Sequence, residues 1–72
     1  MTNRLSFTAH RAPSGLETFR FAGIPGRAWT IQPLASGRFR LGLLDYPTRR
    51  NAFGALIAEA EFAKARRARL GA

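Results

Sequence analysis

The 72-residue chain sets 12 lysines and arginines against 4 acidic residues, a net charge of +8, with 46% apolar residues and no cysteine. A chain this short builds one hydrophobic core, so a second domain is excluded, and the lack of cysteine excludes disulfide staples and thiolate metal sites. Its stability, about 3–5 kcal/mol for so small a core, has to come from packing or from a partner.

No apolar run approaches the roughly 18 residues needed to span a bilayer, and the opening residues lack the apolar centre of a secretory signal. The expectation is a soluble, cytoplasmic protein with no membrane partner.

Residues 1–15 read as an N-terminal arm or short edge strand, in which Leu5, Phe7 and Ala9 alternate with polar neighbours before Ala12-Pro13-Ser14-Gly15 breaks the pattern. Residues 16–72 read as one β-β-β-α domain. Glu17, Phe19 and Phe21 alternate with Thr18, Arg20 and Ala22, the period-two signature of a strand with one face on a core. Gly23-Ile24-Pro25-Gly26 marks a turn. Trp29 and Ile31 then alternate with Thr30 and Gln32, and Pro33, which cannot donate to a ladder, closes the second strand. Ser36-Gly37 gives another turn. Phe39, Leu41 and Leu43 alternating with Arg38, Arg40 and Gly42 predict the third.

After Asp45-Tyr46-Pro47 the period changes to that of a helix. Thr48 is placed to accept from a free amide of the first turn, and Gly71 is placed to end the helix. Phe53, Leu56, Ile57, Ala60 and Ala63 form the apolar stripe. The stripe turns charged at Lys64 and Arg67, so the last two turns are expected to project beyond the core.

These elements assemble into an α+β, two-layer sandwich, a three-stranded antiparallel sheet packed on one long C-terminal helix. With Phe19, Phe21, Trp29, Ile31, Phe39, Leu41 and Leu43 facing the helix, Thr18, Arg20, Thr30, Gln32, Arg38 and Arg40 face outward on an open sheet surface.

Catalytic chemistry finds no support in this composition. The single histidine, His10, reads as a solvated surface residue, and Glu59 and Glu61, two apart on a helix, diverge instead of forming an acid/base pair. No P-loop or zinc spacing occurs, so no cofactor, metal or catalytic residue is expected.

Charge placement is the stronger signal. Eleven of the twelve basic residues are arginine, whose planar fork grips phosphates and guanine edges bidentately. Arg20, Arg38 and Arg40, interleaved with Thr30 and Gln32, form a candidate nucleic-acid-binding face, since a small sheet fits a major groove much as a helix does. Lys64, Arg66, Arg67 and Arg69 at the helix end exceed what the helix dipole explains, and together with Arg49 and Arg50 at its start they are candidates for phosphate contacts. Phe62 lies off the packing stripe, among Ala55, Ala58 and Arg66. Either it contacts another chain, a second copy included, or Leu5 and Phe7 fold over it.

The run Phe39-Arg40-Leu41-Gly42-Leu43-Leu44-Asp45-Tyr46-Pro47-Thr48, leading through Ala52 into an alanine-rich helix, with Trp29-Thr30-Ile31 before it, resembles the AP2 and integrase N-terminal type of DNA-binding domain. The similarity covers about half the chain, from Trp29 to Ala60. It implies a three-stranded sheet entering the major groove, with Arg20, Arg38 and Arg40 as the contacting arginines. The leading expectation is therefore a small, basic, non-enzymatic protein of phage or mobile-element type whose partner is duplex DNA. The rival is a protein-binding inhibitor of a bacterial defence complex, such as an anti-CRISPR protein.

Overall fold

The computed structural model describes residues 5–70, so the expected helix terminator Gly71 lies outside the described residues. Five strands form one antiparallel meander, β1 (Phe7–Arg11), β2 (Glu17–Phe21), β3 (Ala28–Pro33), β4 (Phe39–Leu41) and β5 (Leu44–Tyr46), followed by α1 (Arg49–Leu70). The α+β sheet-and-helix architecture is as expected, but the sheet has five strands where three were read, with the N-terminal segment offered as a further edge strand or an arm.

Both additional strands have local causes. The N-terminal segment pairs with β2 along its length, Phe7 opposite Phe21 and Arg11 opposite Glu17, so it is part of the sheet and not a loose arm. The expected third strand stops at Leu41. Gly42 takes a φ of 63°, and the chain reverses through Gly42-Leu43 so that Leu41 pairs with Leu44. A two-residue loop with glycine first and positive φ is the type II′ arrangement, whose twist suits a hairpin. Leu43 therefore sits at a turn tip, 99% exposed, instead of on the core face.

Period-two burial holds in the central strands. Phe19, Phe21, Trp29, Ile31 and Leu41 point to one side and are all buried. Against them α1 lays Ala52, Leu56 and Ala60, spaced by four and fully buried, flanked by half-buried Phe53, Ile57 and Ala63. Thr48 caps the helix, its Oγ1 accepting from the Asn51 amide at 3.1 Å. The helix starts beside β2's first residue, Glu17, and its Lys64 stem lies against Gly23 in the β2–β3 turn. With 22 residues it is about 33 Å long, against about 17 Å for five-residue β2. Its last turns accordingly run past the sheet, as the charged end of the stripe predicted.

Aromatic rings fill the layer between sheet and helix. Phe7 packs at 5.5 Å from Phe21, 5.8 Å from Phe19 and 5.9 Å from Phe53, and Phe21 meets Trp29 edge-on at 5.3 Å. Phe7 is thus spent on Phe53 and its neighbours. It does not cover Phe62, which stays 64% exposed.

Candidate nucleic-acid interface

The face that α1 leaves bare follows directly from the register. In antiparallel pairing, directly opposite residues share a side of the sheet. Thr8 and Ala28 flank Arg20, His10 and Thr30 flank Thr18, and Arg40 stands between Gln32 and Asp45. Arg20, Thr30, Gln32 and Arg40 are exposed, Thr18 is half-buried, and no other element packs on this side among the described residues. The outward platform read from the alternation is present, with Thr8 and His10 added by β1.

Its electrostatics differ from the expectation in one respect. The β4–β5 hairpin brings Asp45 opposite Arg40, and the Arg40 Nε donates to Asp45 Oδ1 at 2.8 Å. That hydrogen bond holds the Asp45 carboxyl below its ordinary range. Arg38, just before β4, donates to the Asp45 backbone carbonyl at 3.4 Å. Arg40 is therefore partly neutralised, and Arg20 and Arg38 carry the face's uncompensated charge.

Arg49 has a different task from the phosphate contact expected of it. Its guanidinium donates twice to the Glu17 carboxylate, at 2.6 and 2.9 Å, and Arg11 adds a third contact at 3.3 Å. Glu17 is in phase with Phe19 and Phe21 and only 7% exposed, so its charge needs cations close by. Arg49 supplies that pairing from the helix side of the sheet. Arg50, one residue on, is exposed in the first turn of α1.

The helix-end cations sit apart from the sheet face. Lys64 is half-buried, its stem so close to Gly23 that a Cβ there would approach the Lys64 Cε to 3.0 Å. Arg66 and Arg67 line a groove beside the β2–β3 turn, and Arg69 is exposed. All four belong to the layer behind the sheet, so they do not join Arg20 and Arg38 in one surface.

Sequence reasoning missed Arg27. Its guanidinium stacks 4.3 Å over the Trp29 ring, while the indole Nε1 donates to Glu59 at 3.2 Å. The signal was available: Arg27 is two residues before Trp29, so a strand extended backwards puts both on one side.

No family model, curated protein or solved structure matches the chain. The resemblance to the AP2 and integrase N-terminal type thus stands on the quoted residues alone. Against its pattern, the sheet has five strands and Trp29 is 5% exposed, turned inward to the helix.

Among the described residues no cluster of three or more histidines and carboxylates is placed to hold a metal, and no helix is long and apolar enough to cross a membrane. The open sheet face presents guanidinium, hydroxyl and amide groups as hydrogen-bonding partners.

Proposed function

We propose that this protein binds duplex DNA with the open sheet face. The carrying observation is that Thr18, Arg20, Thr30 and Gln32 share the uncovered side of the neighbouring strands β2 and β3 in a chain of net charge +8. Four inter-strand steps make the sheet about 19 Å wide, whereas a major groove is about 12 Å wide. Two or three strands enter, and the outer ones ride the rims. In this reading β2 and β3 offer Arg20 and Gln32 to base edges. Arg38 and Arg40 meet phosphates, and Asp45 opposes them.

Fluorescence anisotropy of a labelled duplex tests this. With the phosphates met by Arg38 and Arg40 neutralised, log Kobs should fall against log salt with a slope of about −2. Arg20→Ala combined with Arg38→Ala should weaken binding by about tenfold or more and, through the lost Arg38 phosphate contact, make the slope shallower by about 1. Asp45→Asn, which removes a repulsive charge and releases Arg40, should tighten it. No binding at micromolar protein in low salt rejects the proposal and leaves the protein-binding inhibitor as the surviving reading.

A further inference from the structure

A second surface lies on the opposite layer, where α1 passes the β2–β3 turn. Ile24 and Pro25 of the turn and Ala58, Phe62, Ala63 and Leu70 of the helix line an open groove of about 950 Å³. Phe62 and Leu70 are 64% and 77% exposed, large apolar side chains on a monomer surface with nothing against them among the described residues. The rim is basic. Arg27, Arg66 and Arg67 stand around it. The groove's single acid, Glu59, already accepts from the Trp29 indole, and Arg27 is held in place by stacking on that indole.

We infer that this groove is a docking site for an acidic amphipathic segment of another protein, a helix of about two turns with apolar residues on one face and Glu or Asp beside them. Its apolar side chains seat between Phe62, Leu70 and Pro25, and its carboxylates meet Arg27, Arg66 and Arg67. Helix-in-groove recognition has this form, anchors at i, i+3 or i+4, and i+7.

Charge complementarity selects this occupant over the others. A second copy would bring three more arginines to a rim whose only acid is already engaged, and each chain carries +8. A single-stranded nucleic acid would satisfy the arginines, but base stacking uses aromatic platforms, and this floor offers one phenyl ring among aliphatic residues. Beside the groove the helix is tied to the sheet by the Trp29 indole donating to Glu59, with the Lys64 stem close against Gly23 in the turn. Nothing here depends on duplex binding by the sheet face.

The test uses three labelled synthetic 15-residue peptides: an amphipathic helix with leucines at i, i+4 and i+7 flanked by glutamates, the same peptide with lysines for glutamates, and a scramble of the acidic peptide. The acidic amphipathic peptide should bind the full chain at least tenfold more tightly than the scramble and not at all in the lysine form. Phe62→Ala, at an exposed site whose folding is checked by circular dichroism, should weaken it about tenfold, as should Arg66→Ala with Arg67→Ala. Arg20→Ala with Arg38→Ala should leave it unchanged. Equal binding of peptide and scramble, or indifference to Phe62→Ala, overturns the inference. So does a concentration-dependent dimer in light scattering that Phe62→Ala abolishes, or a labelled single-stranded oligonucleotide competing for the groove in a Phe62-dependent way.

Discussion

Leu56→Ala is expected to destabilise the protein by about 2–5 kcal/mol, which is comparable with the whole stability of a core this small and therefore unfolds most of the population. Three helix residues are fully buried, and two of them, Ala52 and Ala60, are alanines. Leu56 is the one large side chain that α1 buries completely against the sheet, so its truncation leaves a cavity bounded by sheet on one side and helix backbone on the other. Alanines cannot move in to fill it. Urea unfolding followed by circular dichroism measures the loss, with Phe62→Ala as the comparison. That side chain is 64% exposed, and its removal should change stability by under about 0.5 kcal/mol. Equal midpoints for the two variants contradict the packing described above.

Arg49→Ala should be the second most damaging change. It leaves the Glu17 carboxylate, 7% exposed, with Arg11 at 3.3 Å as its remaining cation. Breaking a fully buried pair costs about 3–5 kcal/mol, but the Arg49 side chain is 43% exposed, so about 2–3 kcal/mol is the appropriate figure. The same contact sets the pH response. The hydrogen bond from Arg49, opposed by burial and aided by Arg11, holds the Glu17 carboxyl below its ordinary value. A folded-state pKa below the unfolded one means that the stabilisation is complete above the ordinary carboxylate range. It disappears as pH falls through the folded value. Thermal midpoints should therefore be level above about pH 5 and drop below it. Glu17→Gln should flatten that acid limb while lowering the neutral-pH midpoint. Asp45 titrates in the same direction on the surface, and the Glu17→Gln comparison isolates the inner carboxylate.

Much of this fold was legible because its signals are local. The alternation in residues 17–21 and 29–32 was enough to assign β2 and β3 their buried and exposed sides. The change of period after Pro47 and the hydroxyl of Thr48 marked the helix start. The third strand misled because the alternation runs on unbroken through Gly42 and Leu43. Only the glycine, as the first residue of a two-residue loop, signalled the reversal. That one misreading hid Asp45, since without the hairpin nothing puts it across from Arg40. The Glu17–Arg49 pair was illegible for a different reason. A carboxylate in phase with two phenylalanines demands a cation, but the sequence offers eleven arginines and no rule for choosing one 32 residues away.

Separation of the basic residues onto two surfaces was likewise a tertiary outcome. Which side of the sheet the helix covers, and how far it overruns the β2–β3 turn, decides that Arg66 and Arg67 frame an apolar groove while Arg20 and Arg38 stand on the bare face. The two surfaces differ in what accompanies the charge. Threonine hydroxyls from Thr8, Thr18 and Thr30 stand near Arg20, and the Gln32 amide stands opposite Arg40. Apolar side chains surround Arg66 and Arg67.

Amide chemical-shift mapping of the ¹⁵N-labelled protein, titrated with a duplex at low salt, addresses the sheet-face interface most directly. The largest changes should fall on Thr18, Arg20, Thr30 and Gln32, with smaller ones at Arg38 and Arg40. A spectrum that does not respond, or changes confined to α1 beyond Ala63 and the turn at Ile24, would contradict it.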